Sequence, residues 1–341
     1  MANKEILLKA KTTKNDEYLT LYEDISSEVS RFKSQLKGKN ILCPCDWDES
    51  YDGELVFKEE GYVGPSTLFD KGGTIKNIDI KKSKKKVEKN LKHIKCNFIK
   101  FLVSHADDYK IKSISVSGYN PKNNKGVRFQ DIDYSKYDLV ITNPPFSQFR
   151  DFIEILIKNK MKFLVIGPLT ALGNKITFSY IQANKMWLGY SSQLSGFKLP
   201  NGKRIMSKDK EGSIPRACKW YTNLDVSYRN DRMILTEKYS SKKYPKYFNY
   251  SGIEVSKTNE IPADYKGVMG VPVSFISKFN PKQFEIIGKS FQTQKKIRWE
   301  GDKAAFWIES KTHPKRKEFK INGKKYSLYA PFERILIKHK N

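Results

Sequence analysis

Two unbroken apolar runs stand out along the chain, Asp138-Leu-Val-Ile-Thr142 and Lys162-Phe-Leu-Val-Ile166. Both are short and rich in β-branched residues, which predicts strands buried on both faces of a parallel sheet. Between them Phe149, Phe152, Ile153, Leu156 and Ile157 recur at intervals of three and four, the apolar stripe of a helix lying on that sheet. Strand, helix and strand make a β-α-β unit, which crosses over right-handed. Further strands are expected at Asn40-Ile-Leu-Cys43, Lys112 to Ser117, Met186-Trp-Leu-Gly189 and Lys219 to Val226, and helices near Asn97 to Ala106 and Thr177 to Ala183. This alternation over residues 39 to 226 predicts a doubly wound α/β domain covering 1–226. Residues 47–96, rich in Gly, Lys and turn formers, read as an insertion after the first strand. From 227 to 341 the pattern shifts to Tyr, Pro, Asn and Lys, as in Tyr244-Pro-Lys-Tyr-Phe-Asn-Tyr250, and a second, smaller region is expected.

Composition adds a partner class and removes several others. The 341 residues carry 64 Lys and Arg against 37 Asp and Glu, a net charge of +27. Residues 71–100 hold 11 lysines against Asp79 and Glu88, and residues 278–341 hold 17 Lys or Arg against 6 acids. Charge segregated in this way suits a polyanion, whose counterions are released on binding, although a lysine-rich solvated surface has the same composition. The longest apolar stretch, Phe163 to Leu172, is interrupted by Gly167 and Pro168 and falls short of a bilayer span, so no membrane helix is expected. Met1 to Lys11 lacks the apolar region of a secretory signal, which points to a cytoplasmic protein. Cys43, Cys45, Cys96 and Cys218 are too scattered for a disulfide scaffold, and a lone C-x-C is poor ligand spacing, so neither disulfides nor a metal is expected. His93, His105, His313 and His339 are not grouped, which leaves no metal triad and no Ser-His set.

The chemistry concentrates in Asn143-Pro-Pro-Phe146, directly after a buried strand and directly before a helix. That is the carboxyl edge of the sheet, where open α/β folds bind ligands. Two prolines remove two N–H donors and fix φ, which aims the Pro144 carbonyl beside the Asn143 side-chain oxygen. Paired acceptors suit an exocyclic amine: taking both N–H bonds draws its nitrogen out of conjugation and exposes a lone pair. Phe146 is then placed to stack on the ring that bears the amine. An ordinary turn is the competing reading of the bare tetrapeptide, since Asn-Pro starts turns and Pro-Pro stops strands. The strand in front and the helix behind favour the functional one.

Together with other segments, this motif resembles the EcoRI-type adenine-specific DNA methyltransferases. Besides Asp138 to Phe146, the likeness rests on Asp16-Glu17, Trp187-Leu-Gly189, Trp220 to Val226, Tyr244-Pro-Lys-Tyr247, the long stretch Tyr265 to Glu285, and Phe332 to Lys338. The resemblance implies a Rossmann-like sheet, S-adenosylmethionine as methyl donor, and a target adenine extruded from double-stranded DNA. It implies that Asn143 and Pro144 accept from N6, that Pro145 holds the turn and that Phe146 stacks on the base. It places Thr20 near the methionine part of the donor. The stretch Cys43-Pro-Cys-Asp46 stands where most such enzymes carry a glycine-rich turn, with Asp46 a candidate acceptor for the donor's ammonium and Cys43 a small side chain permitting close approach. Strand-end packing for the cysteines and a cap role for Asp46 remain the alternative. Tyr119 is a candidate for the donor's ribose or adenine, and Asp131, or Asp133 in its place, for the adenine amine. A surface tyrosine and turn aspartates are the competing readings there. The chain departs from the family at Leu19, commonly Tyr, and in the basic insertion from Trp47 to Lys95.

Lys84, Lys85 and Lys86 and Lys315, Arg316 and Lys317 are candidate phosphate contacts, which position a duplex without reading it. Base-reading candidates after 227 include Arg229, Arg232, Asn249, Lys257, Asn259, Gln292, Gln294 and Arg298. The expectation is a monomeric bacterial modification enzyme of a type II restriction-modification system, with a cognate restriction endonuclease acting separately. The alternatives are methylation of an RNA adenine or a protein glutamine, or an inactive basic nucleic-acid-binding protein. Cations concentrated in the last 64 residues argue against the glutamine reading, and the intact Asn143 and Phe146 argue against loss of activity.

Overall fold

The computed structural model describes residues 19–46, 57–58, 61–63, 73–90, 96–120, 125–199, 202–209, 213–290 and 306–340; Asp16, Glu17, His93, Gln292, Gln294 and Arg298 lie outside them. The described residues fall into two compact units, one within Met1–Ile181 and Lys185–Asp225, the other within Gln182–Asn184 and Val226–Asn341. The chain enters the first unit through β1 (Leu19–Thr20), α1 (Tyr22–Val29) and β2 (Asn40–Cys43). Next come β3 (Gly61–Val63), β4 (Gly73–Asn77), α2 (Ile80–Asn90), α3 (Asn97–His105), β5 (Ser113–Val116), and the short pair β6 (Tyr119–Asn120) and β7 (Lys125–Gly126). The remainder is β8 (Leu139–Thr142), α4 (Phe149–Lys158), β9 (Lys162–Pro168), α5 (Lys175–Gln182), β10 (Trp187–Leu188), β11 (Gly196–Lys198), β12 (Arg204–Met206) and β13 (Cys218–Thr222).

Eight of these strands form one mixed sheet in the order β10-β13-β9-β8-β2-β5-β4-β3. Its core, β9-β8-β2-β5, is parallel, as the apolar runs predict. Strands β13 and β4 run against this core and pair antiparallel in turn with β10 and β3 at the two edges, a difference that periodicity does not encode. From β2 the chain steps to β5 on one side and then returns across β2 to β8 on the other. Strand order therefore reverses at β2, and the carboxyl ends of β2 and β8 lie side by side, the position at which open α/β sheets form a crevice. Within the expected insertion, residues 47–96, β3 and β4 extend one side of the sheet and α2 lies beside α3. β3 has three residues and β4 five, too short for apolar alternation to reveal them.

The crossover helix packs as its spacing predicts. Phe149, Phe152, Ile153 and Leu156 are buried against the sheet, and Ile157 is half-buried at the margin of the stripe. A β-carbon at Gly167 of β9 would overlap the Phe149 ring, so this close approach requires glycine.

Helix α1 carries two acids that organise a distant segment. Glu28, 0% exposed, accepts from the backbone N–H groups of Tyr190 and Ser191 at 2.7 and 2.8 Å and from Ser191 Oγ at 2.5 Å. Asp24 accepts from Ser195 N at 2.9 Å, Ser195 Oγ at 2.7 Å and Gly196 N at 3.3 Å. Gly189 is needed beside this clamp, because a β-carbon there would overlap the Glu28 carboxylate. The clamp fixes the entry to β11, which pairs antiparallel with β1.

The second unit contains β14 (Ile253–Glu254), β15 (Met269–Pro272), β16 (Phe284–Lys289), β17 (Ile308–Glu309), β18 (Lys317–Ile321), β19 (Lys324–Tyr329) and β20 (Arg334–His339). They form a four-stranded sheet, β14-β15-β20-β16, and a three-stranded one, β17-β19-β18. Despite weak periodicity the unit has its own core, with Tyr247, Phe306, Ile308 and Leu336 buried together. Inside it Arg334 Nε and Nη2 donate to Glu254 Oε1 at 2.8 and 2.5 Å, and the Tyr247 hydroxyl donates to Glu254 Oε2 at 2.5 Å. A buried carboxylate is tolerable when it is paired and hydrogen-bonded in this way.

Removing the Glu28 clamp strands two buried N–H groups, each costing about 1–3 kcal/mol. Glu28→Ala is therefore expected to lower the urea unfolding free energy by at least about 2 kcal/mol, and Glu28→Gln, which keeps an acceptor, by about half as much. An alanine variant that unfolds at the wild-type midpoint would contradict the clamp.

Candidate active site

The sheet edge at β2 and β8 is built from two strand ends. Strand β2 ends at Cys43, and the turn Pro44-Cys45-Asp46 brings a half-buried carboxylate beside the end of β8. There the fully buried Thr142 donates from Oγ1 to Asp46 Oδ2 at 2.5 Å, and the backbone N–H of Asn143 donates to the same carboxylate. Burial raises the Asp46 carboxyl to about 7, against the pull of these two donors. Asp46 thus reaches the Asn143-Pro-Pro-Phe146 turn from the neighbouring strand. Pro144 is buried, while Asn143, Pro145 and Phe146 are half-buried. On the far side of the turn the N–H of Gln148 donates to the Pro145 carbonyl at 3.0 Å, closing the short 3-10 turn Phe146–Gln148 that leads into α4.

The aromatic side of the site comes from β11. The Phe146 and Phe197 rings meet with centroids 6.4 Å apart at 65°, and Phe197 lies opposite Thr20 in the β1–β11 register. Thr20 is 3% exposed, its carbonyl accepts from Asn97 Nδ2 at 2.7 Å, and its Oγ1 has no hydrogen-bond partner among the described residues. An unsatisfied buried hydroxyl is costly, and a bound polar group would relieve that cost. Cys43 is fully buried, and burial pushes its thiol and that of Cys45 well up, so both stay protonated. Ser117, just past β5, donates from its backbone to the Cys43 carbonyl at 3.1 Å and from Oγ to that of Pro44 at 3.4 Å, joining a third strand end to this edge.

The other expected positions are less closely assembled. Tyr119 lies in β6, paired with Gly126 of β7, and is 37% exposed. Asp131 is held by Arg128 Nε at 2.8 Å. Asp133 is a turn cap, accepting from Ser135 N at 3.1 Å and Ser135 Oγ at 2.6 Å. Lys84 is 31% exposed and ion-paired with Asp107 at 2.7 Å, which ties α2 down, whereas Lys85 is exposed; the Lys86 side chain lies outside the described residues. In the second unit Lys315, Arg316 and Lys317 are exposed, with Lys315 Nζ over the Phe332 ring at 5.5 Å. Among the described residues no group of three His, Cys, Asp or Glu side chains is placed to hold a metal, and no helix is long and apolar enough to cross a membrane. Sequence reasoning missed Asp24, Glu28 and Phe197. Two acids four apart on a helix resemble a solvated face, and nothing local to Phe197 marks it as the neighbour of Phe146.

The Asp46 carboxyl titrates near 7, above the ordinary 3.8. Folding therefore disfavours its ionised form, and the associated stability is present in full below about pH 4 and lost as pH rises through about 7. Asp46→Asn retains an acceptor and removes the charge. Its Tm is expected to exceed that of the wild type above pH 7, with the gain shrinking toward pH 4. Parallel Tm profiles for the two proteins would contradict a buried titrating Asp46.

Comparison with known proteins identifies a family. The family model for the adenine-specific methyltransferase EcoRI matches residues 6–56 and 132–340, and the interval between them contains β3, β4, α2, α3 and β5. The chain is 33% identical over 375 residues to the type II methyltransferase M.EcoRI of Escherichia coli, covering 99% of this chain and 98% of that protein. It is 30% identical over 312 residues to M.MpnI of Mycoplasma pneumoniae and 31% identical over 293 residues to M.MgeORF184P of Mycoplasma genitalium, each match covering 82% of this chain and 84% of the relative. No solved structure matches. With the family model and a relative of this similarity both spanning most of its length, the chain belongs to the EcoRI family of adenine-specific methyltransferases.

Proposed function

We propose that this protein is a sequence-specific DNA adenine-N6 methyltransferase, transferring a methyl group from S-adenosylmethionine to an adenine turned out of the duplex. The observation that carries the reading is the position of Asn143-Pro-Pro-Phe146 at the carboxyl end of β8, where strand order reverses, with its backbone held by Asp46. In this reading β9-β8-β2-β5 is the centre of a doubly wound, Rossmann-like sheet. Residues 1–226 form the catalytic domain, carrying the basic insertion 47–96, and residues 227–341 form the target-recognition region. The enzyme acts as a monomer in a bacterial cytoplasm, as the modification half of a type II restriction-modification system whose endonuclease works separately.

The residues of the crevice fit the donor in chemical kind. Thr20 Oγ1 is a buried polar atom lacking a partner, suited to the methionine part, and Asp46 has lone pairs left for an ammonium. The buried Cys43 is small enough to let the donor approach the end of β2. Tyr119 and Asp131 serve the ribose and adenine of the donor, with Asp131 oriented by Arg128. When bound, S-adenosylmethionine would supply a methyl carbon on a positively charged sulfur, the S–C bond breaking as the N–C bond forms and the sulfur leaving as the neutral thioether S-adenosylhomocysteine.

The chain's own work is to prepare the amine. The Asn143 side-chain oxygen and the Pro144 carbonyl each accept one N6–H bond, which turns the nitrogen lone pair out of the ring system and toward the crevice. These dipoles also stabilise the N–H groups as the nitrogen gains positive charge, and the surplus proton leaves to water. Pro145 holds the turn, and Phe146 stacks on the extruded base with the Phe197 ring edge-on to it. Holding the amine in line with the methyl carbon supplies most of the acceleration, so no strong base is required. Lys85, Lys86, Lys315, Arg316 and Lys317 contact phosphates, with Lys84 divided between this task and Asp107.

Incubation with labelled S-adenosylmethionine and mixed DNA, RNA and protein is expected to place label on N6 of adenine in duplex DNA. Label found only in RNA or protein would overturn the assignment. Asn143→Ala should lower kcat by about 100-fold or more, the scale of losing one preorganised polar contact to the reacting group, while DNA affinity changes little.

A further inference from the structure

Among the described residues of the second unit, a β-hairpin carries a concentration of exposed positive charge. Strands β18 and β19 pair antiparallel from Lys317↔Leu328 to Ile321↔Lys324, leaving Asn322-Gly323 as a two-residue turn. Both turn residues have positive φ, 49° and 80°, the type I′ geometry that matches strand twist and makes a stiff ribbon. The base of the ribbon is fastened by rings. Phe319 packs edge-on to Trp307 at 4.8 Å, Tyr326 to Phe248 at 4.9 Å, and His313 stacks on Tyr329 at 3.8 Å, while Leu328 is fully buried.

Beyond that base the ribbon is exposed and cationic. Lys320, Asn322, Lys324 and Lys325 are all exposed, and the preceding loop adds exposed Lys311, Lys315 and Arg316. Glu318 is the single acid between 311 and 325. Lys320 stands directly opposite Lys325 in the register, a like-charge cross-strand pair that weakens an isolated hairpin. Guarding an edge strand against aggregation accounts for a lysine on β18. It does not account for two lysines set face to face, nor for the three cations of the loop. A polyanion converts this repulsion into attraction.

We propose that the β18–β19 hairpin is the element that enters a DNA groove, with Lys320, Asn322, Lys324 and Lys325 meeting the duplex at its tip and Lys311, Lys315 and Arg316 straddling phosphates at its base. The inference rests on DNA being the substrate, as proposed above. A two-stranded ribbon fits the major groove, about 12 Å wide, and the three residues per strand beyond the Phe319–Tyr326 anchor reach about 10 Å, enough for the groove depth of about 8.5 Å. The tip side chains have the right chemistry for base edges: the Asn322 amide can pair with adenine N6 and N7, and a lysine ammonium with guanine O6 and N7.

The test uses the full-length protein and a mixed-sequence duplex. Each phosphate contact contributes about 0.9 to the slope of log affinity against log salt, so K311Q/K315Q/R316Q should flatten that slope by up to about 2.7, while K311R/K315R keeps it. Asn322→Cys carrying a photoreactive group should crosslink to bases of the duplex, a readout that does not depend on how the glutamine variant folds. An unchanged slope together with no crosslink overturns the hairpin assignment; if the wild type still forms N6-methyladenine in DNA, the proposed activity stands without it. A wild-type protein that binds single-stranded RNA and ignores the duplex overturns both.

Discussion

A proline-proline turn has a mechanical problem: Pro144 and Pro145 have no N–H groups with which the surrounding protein can hold them. The last backbone donor before them is Asn143 N–H, and it is taken by Asp46, a carboxylate brought across from the end of β2. Thr142 Oγ1 grips the same carboxylate from inside β8, so the strand end and the start of the turn share one anchor. On the other side the Gln148 N–H secures the Pro145 carbonyl. The turn is therefore pinned at both ends, with its two donorless residues between. The arrangement costs desolvation, seen in the carboxyl titrating near 7, and what it provides is a fixed position for Asn143.

That anchor exists only because of the strand order. Asp46 and Asn143 are far apart in sequence but adjacent in space because the chain returns across β2 to place β8 against it. The aromatic side of the site depends on a longer line of contacts. Asp24 and Glu28 on α1 clamp residues 190–196, the clamp sets β11, β11 aligns Phe197 with Thr20 of β1, and Phe197 meets Phe146. Each link is a buried polar group satisfied with good geometry or a ring contact, which restricts the site more tightly than apolar packing alone.

How much of this can be read from sequence follows from the range of each interaction. The unit of β8, α4 and β9 is visible because its apolar stripe and runs are local patterns, and the turn between β8 and α4 is visible because its residues are contiguous. Asp46 stands out only as a polar residue near a strand end; its partnership with Thr142 and Asn143 depends on sheet order, which no local pattern records. The Glu28 clamp is less legible still, since Tyr22 to Val29 has the polar and apolar spacing of a surface helix while Glu28 is fully buried. Gly189 is the one local trace of it, a glycine required by a carboxylate more than 160 residues away in the chain. In the second unit the core is assembled from aromatic and aliphatic residues spread between Tyr247 and Leu336, with no repeat for periodicity to detect.

Formal charge has the same limit. The lysine run at 81–86 is the most conspicuous basic feature of the sequence, yet on α2 its Lys84 is ion-paired with Asp107 and its Lys82 lies 3.6 Å from Asp79. Such pairs weaken the field the run presents, and part of its charge secures the helix to the rest of the unit. The segment from 311 to 325 looks less dense because apolar residues interrupt it. In the fold those interruptions, Phe319 and Ile321, fall on one face of β18, while Glu318 and Lys320 fall on the other. The strand's period of two gathers Lys320 with Lys325 on the face away from the Phe319 and Tyr326 anchors, so a cationic ribbon face is built from a sequence that appears only mixed. A helix with the same spacing would spread its cations around the axis. The position of positive charge is thus a property of topology before it is a property of composition.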